Sequence, residues 1–176
     1  MSLGNIYLES SIKRLKYYKD LGDKTFAQFE ENDFNFKPNE VSNSLAIIIQ
    51  HMAGNMISRW TDFLSSDGEK EWRNRDTEFE EQKLSREQLL ELWEKGWHRL
   101  FNTLNSLSPE DLLHKIQIRG EDHFVIDAIN RQLAHYPYHI GQVIFLGKIL
   151  KNDSWKNLSI EKGSSANFNQ QMRSST

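Results

Sequence analysis

From Leu8 onward, apolar residues recur at helical spacing through Ile12, Leu15, Tyr18, Phe26 and Phe29, with Lys, Asp and Glu between them. That pattern predicts a long first helix. Pro38 and Asn39 interrupt it, and Ser42-Asn43-Ser44 offers capping hydroxyls and amides for a second helix running to about Leu64. The apolar stripe of this helix is Leu45, Ile48, Ile49, Met52, Met56 and Trp60, and His51 lies at its edge. Residues 65–84 open on Asp67-Gly68 and continue with mixed charges, Trp72 and Phe79 being the large apolar anchors. They read as a long, partly ordered loop. Ser85 and Gln88 form a capping pattern ahead of Leu89, Trp93, Trp97, Leu100 and Leu104, which predicts a third helix. Ser108-Pro109 starts a short helix reaching His114; Ile116 and Ile118, then Phe124 and Val125 beyond Gly120, suggest a small hairpin. The last helix, about Ile126 to Leu150, is apolar on two faces and should be the most buried.

Four substantial helices in 176 residues predict an all-α helical bundle with one core, comprising residues 1–150, a small β-hairpin and the long loop between helices two and three. Residues 151–176 are a polar tail, packing on the bundle or extending from it. Hydrophobic residues make up 38% and aromatics 11% of the chain, a composition that folds. A net charge of -3 supplies no field to attract nucleic acid or an acidic membrane. The basic and aromatic cluster Trp72-Arg73-Asn74-Arg75 sits among acidic residues, which argues for Trp72 packing on the bundle or across a dimer instead. With no cysteine, disulfides, thiolate ligands and a Cys nucleophile are excluded, so any metal must use His, carboxylate or water. No stretch approaches the roughly 18 apolar residues of a membrane span, and the start of the chain has no signal-like pattern, so a cytoplasmic protein is expected.

The chemistry-bearing feature is His135-Tyr136-Pro137-Tyr138-His139. Imidazoles four residues apart on a helix project from one face, one turn apart, and can chelate one ion together. Two neutral imidazoles make a weak site, and a bundle recruits the third ligand from a facing helix; His51, mid-helix at the edge of an apolar face, is the donor the pattern offers. The competing interpretation is a hydrogen-bonded core histidine. Pro137 deletes a backbone hydrogen bond inside the helix. It is either a tolerated kink or a device that sets the angle between the two imidazoles. His98, His114 and His123 lie near charged or turn-like sequence and suit the surface.

Gln50-His51-Met52 with His135-x-x-x-His139-x-Gly141-Gln142 resembles the DinB/YfiT superfamily of metal-binding four-helix bundles. The stretches Ser58 to Leu64, Asp67 to Lys70, Arg73 to Asp76, Glu78-Phe79 and Leu158 to Ser165 resemble, more closely, a branch of it classed as a domain of unknown function. The likeness covers nearly the whole chain. It implies an up-down-down-up bundle, a homodimer, and a site for nickel, zinc or a similar divalent ion at His51, His135 and His139. Relatives in the superfamily include hydrolases and transferases or isomerases that use a low-molecular-weight thiol.

Three His ligands leave coordination positions open, where a metal can lower the pKa of a water toward about 7 or polarise a substrate oxygen. A thiol cofactor is the other candidate for that position. Helical spacing places Asn55 and Arg59 one and two turns beyond His51, and Gln132 and Gln142 beside the His135/His139 stripe, as groups that orient ligands or contact substrate. Arg59 suits an anion, through bidentate bonds, or an intrachain acid such as Asp62. No Asp or Glu falls on either His stripe, so no general base is nominated. The expected function is that of a metal-dependent hydrolase or thiol-dependent transferase acting on a small molecule. The alternative is a non-catalytic metal- or small-ligand-binding protein of the stress response.

Overall fold

The computed structural model describes residues 2–161 and 163–174, and its chain is mostly helical. Met1, Lys162, Ser175 and Thr176 lie outside the described residues, so the expectations for the tail are followed only over the rest of it. The elements in chain order are α1 (Leu3–Phe26), α2 (Leu45–Trp60), α3 (Arg86–Ser106), the strands β1 (Lys115–Ile118) and β2 (Glu121–Phe124), α4 (Val125–Lys151) and α5 (Ser165–Ser174).

Helix starts follow local chemistry. The Ser44 hydroxyl accepts from Ile47 N at 3.2 Å, and Ser85 and Gln88 close a reciprocal box at the start of α3. Helix α1 begins and ends earlier than the Leu8 to Phe29 pattern suggested; Phe29 is buried nonetheless, in the turn that follows. Helix α2 stops at Trp60, short of Leu64, because Thr61 turns extended and Asp62 takes a left-handed φ of 47°. Helix α4 runs unbroken through Pro137.

The apolar faces meet in one cluster, with α1 packed on α4 and α2 on α3. Trp60, Trp93, Trp97 and Tyr136 are fully buried in it. Gly96 lets α3 approach α2 closely, since a Cβ there would lie 3.1 Å from Ala53 Cα. Such layers of helices with interdigitated large and small residues give the close packing that holds side-chain positions fixed.

Strands β1 and β2 pair antiparallel with Ile116 opposite His123 and Ile118 opposite Glu121. Their turn uses positive φ at both Arg119 (57°) and Gly120 (75°), the twist that two-residue hairpins favour. Asp67 clasps this turn, its carboxylate accepting from Arg119 N at 2.8 Å and Gly120 N at 2.7 Å. Gly68 N donates to Gln117 O at 2.8 Å alongside. The α2 to α3 connection is therefore fastened to the hairpin by hydrogen bonds between segments about fifty positions apart in sequence, which local patterning does not reveal. It also carries a 3-10 turn, Asp76–Phe79. Trp72 is exposed and does not pack on the rest of the chain as a core residue.

The polar tail both packs on the bundle and carries a helix of its own. Trp155 and Leu158 pack against the core, and α5 follows as an exposed amphipathic helix with Phe168 and Met172 one turn apart. Residues 165–174 contain no Gly or Pro to prevent a helix. No helix among the described residues is long and apolar enough to cross a membrane.

Candidate metal centre

Helix α2 supplies His51 from its middle turn, and α4 supplies His135 and His139 from successive turns. The three rings come together. His51 Nε2 lies 3.4 Å from His135 Nε2, and His139 Nε2 lies 3.0 Å from the same atom. The candidate donor atoms all fall within 4.8 Å of one another, so the three could hold a metal ion. Nitrogens bound about 2.1 Å from one ion at right-angled to tetrahedral angles sit about 3.0–3.4 Å apart, which two of the three pairs already satisfy.

The other nitrogen of each ring decides what faces inward. His51 Nδ1 is 3.1 Å from Glu78 Oε2, His135 Nδ1 is 3.3 Å from Gln132 Oε1, and His139 Nδ1 is 2.9 Å from Gln142 Oε1. All three partners are oxygens, so each neutral ring places its proton on Nδ1 and donates outward. Three Nε2 lone pairs are then left facing one another, an arrangement that repels itself and invites a cation. The donor set fits a divalent ion on this ground.

Burial and charge agree with that assignment. His51 is 7% and His139 9% exposed, while His135 is half-buried and gives the cluster its open side. Burial, followed by the neighbouring His139 and His51 and then Arg131 and Arg59, pushes His135 down to about 3. Burial also lowers His139, partly offset by its bond to Gln142, with His51 lowering it further. Both rings are neutral at neutral pH and available as ligands.

A family profile described as a protein of unknown function, DUF1572, matches residues 2–164. The chain belongs to the DUF1572 family. No curated protein matches the sequence significantly.

Of the neighbours nominated in this DUF1572 chain, Gln132 and Gln142 each bond a ring nitrogen of the cluster. Asn55 instead accepts from Tyr136 Oη at 3.1 Å, and that hydroxyl takes a bond from Trp60 Nε1 at 3.1 Å. Burial raises the Tyr136 phenol, outweighing the bond from Trp60 and the charges of Arg59 and Arg73, which lower it. Arg59 is 2% exposed and forms no hydrogen bond or ion pair among the described residues.

Glu78 was not nominated by the sequence, and it reaches the centre from the Asp76–Phe79 turn. Burial works to raise its carboxyl, yet bonds from His51 and Arg73 and the Arg73 charge outweigh that and hold it below the usual carboxylate range. Arg73 grips it with Nε to Oε1 at 2.7 Å and Nη2 to Oε2 at 2.8 Å. Arg73 also bonds Glu69, which takes a further bond from Arg119 at the hairpin turn. The available signal was Phe79, the loop's apolar anchor: its ring lies 4.8 Å from that of His51, and docking it carries Glu78 alongside.

Gly54 leaves space for that carboxylate, since a Cβ at position 54 would lie 2.1 Å from Glu78 Oε1. Partners of this kind fix the tautomer of a ligand, and losing one typically costs about 10–100-fold in metal affinity. Gly54→Ala, which displaces the carboxylate without touching a ligand, is expected to weaken metal binding within that range, as is Glu78→Gln. Competition with a chelating dye measures it; wild-type affinity in both variants would remove Glu78 from the centre.

Proposed function

We propose that His51, His135 and His139 hold one divalent ion, nickel or zinc in kind, in a metal-dependent enzyme that transforms a small molecule. The observation carrying this reading is the set of three Nε2 lone pairs aimed at one point, with His135 open to one side. When bound, such an ion supplies Lewis acidity at the coordination positions the three imidazoles leave free. Glu78 orients His51, Gln132 orients His135 and Gln142 orients His139. The resemblance to the DinB/YfiT superfamily supports an up-down-down-up four-helix bundle as the frame. It also implies a homodimer, and the exposed Tyr138, Phe145 and Ile149 along α4 offer apolar surface for a second copy.

Between the two chemistries of its relatives, a thiol-dependent transfer suits this site better than hydrolysis. Both oxygens of Glu78, the one carboxylate touching the cluster among the described residues, are committed to Arg73 and His51. The three rings are committed on both nitrogens. Among the described residues no side chain of the cluster is left to take a proton from water, so hydrolysis would rest on the ion alone, whereas a thiol ionises near pKa about 8.5 unaided. In the transfer, the thiol proton goes to solvent, a sulfur–carbon bond forms and the leaving group departs with its electron pair.

Nickel- and zinc-loaded protein should be incubated with glutathione or bacillithiol and an electrophile such as 1-chloro-2,4-dinitrobenzene, and thioether formation followed by absorbance. Turnover by wild-type and background rates for His139→Ala are expected. A metal-loaded protein that consumes no thiol would sink the transferase reading in favour of hydrolysis or a non-catalytic role.

A further inference from the structure

We propose that Arg59 and Arg131 form an oxyanion subsite beside the three-histidine centre, so that the ligand of this centre carries a carboxylate or phosphate group. The inference rests on the metal reading above and adds to it the charge of the ligand.

The geometry begins with spacing. His51, Asn55 and Arg59 follow at intervals of four along α2 and share one face. Side chains on a helix lean toward its N-terminus, so Arg59 leans back along α2 toward Asn55 and His51. On α4, Arg131 stands one turn before His135, and Tyr136 beside that histidine is bonded both to Asn55 and to Trp60 of α2. Ile48, one turn before His51, lines one cleft with Gln142 and Leu146, which follow His139, so the helices run past each other in opposite senses. Arg131 and Arg59 then fall on the same side of the centre. The charges of both act on His135, and that of Arg131 acts on Arg59.

Arg59 is the independent pointer to a ligand. It is 2% exposed, and its Nε and Nη1 are buried with no hydrogen-bond partner among the described residues. The loop lies directly on it: a Cβ on Gly68 would come within 2.8 Å of both Arg59 Cδ and Nε. Glu69, the carboxylate whose charge acts on Arg59, already serves Arg73 and Arg119. A buried guanidinium with no counter-charge is heavily penalised, and burial does lower its proton affinity. Arginine is also the residue whose fork of donors matches planar and tetrahedral oxyanions.

Charge balance leads the same way. The three ligands are neutral and Glu78 is cancelled by Arg73, so a divalent ion together with Arg59 and Arg131 leaves this half-enclosed region strongly positive. An anionic ligand that touches the ion and reaches Arg59 neutralises it.

The test uses cobalt(II)-loaded protein, whose visible spectrum reports on ligands at the ion. Acetate and inorganic phosphate are titrated separately into wild-type, Arg59→Met and Arg131→Gln protein. Wild-type is expected to bind one anion more tightly than the other, which identifies the group. A bond to a charged partner is worth about 10- to 100-fold in affinity, and each variant is expected to lose that much. Arg131 is exposed, so its variant folds whatever Arg59 does. In anion-free buffer Arg59→Met is expected to melt no lower than wild-type, because it removes an unpaired buried charge; a purely structural arginine would give a lower Tm. Equal anion affinity in all three proteins, or a cobalt spectrum that neither anion perturbs, would overturn the subsite and leave the centre standing. Failure to take up cobalt at all would overturn the centre itself, and the subsite with it.

Discussion

Replacing His139 by alanine is expected to strip the protein of its metal. Native protein should carry about one ion per chain, and His139→Ala close to none. The remaining His51 and His135 lie on different helices 84 positions apart and provide two nitrogens, too few to hold a divalent ion against dilution. Losing a ligand exceeds the roughly 10–100-fold typical of losing a ligand's hydrogen-bond partner. Elemental analysis of both proteins purified side by side checks it, and equal metal content would dispose of the centre. The variant should still fold, because His139 belongs to the polar cluster and the apolar contacts of α4 come from Tyr136, Ile140 and Val143. A normal helical circular dichroism spectrum beside lost metal would separate binding from folding.

The largest stability effect is expected at Trp93. Its ring is 1% exposed, meets Phe26 edge-on at 5.0 Å and Trp97 at 5.4 Å, and its Nε1 donates to Asp23 at 2.7 Å. Gly22 exists to admit it, since a Cβ there would sit 2.6 Å from the indole. Aromatic to alanine changes in such a core cost about 3–5 kcal/mol, a large part of the roughly 5–15 kcal/mol that holds a typical domain folded. Urea unfolding of Trp93→Ala should show the midpoint falling accordingly. Below the transition, metal content per folded chain should match wild-type, because Trp93 touches none of the three histidines. A loss under about 1 kcal/mol would mean that α1 and α3 close over the cavity, which the wedge at Gly22 argues against.

The parts of this molecule that were legible in advance are those written in local spacing. Ser44 and the Ser85/Gln88 box announce their helices because a cap acts within four residues. His135 and His139 show themselves as a pair because helical geometry alone brings them together. His51 was nominated because it lies mid-helix at the edge of an apolar face, on a helix that can face the pair. Glu78 was not visible: it is exposed-looking sequence in a charged stretch, and only the docking of Phe79 on His51 and the vacancy at Gly54 draw it inward. The same holds for Asp67, whose two hydrogen bonds to the hairpin turn join distant segments. Arg59 shows the limit from the other side. Its position was legible as a helical neighbour of His51, but that its Nε and Nη1 find no hydrogen-bond partner among the described residues depends on how the loop at Gly68 closes over it. Helix α5 was missed because its large apolar residues, Phe168 and Met172, are too few to mark a helical period.

The placing of one histidine on α2 and two on α4 bears on more than coordination. An ion gripped by His51 and His135 ties two points of the chain 84 residues apart into a closed ring. A covalent tie of that span subtracts about 4–5 kcal/mol of freedom from the unfolded chain, and a metal tie does the same for as long as both ends hold. In a chain without cysteine, an ion held there would be a staple that can be withdrawn.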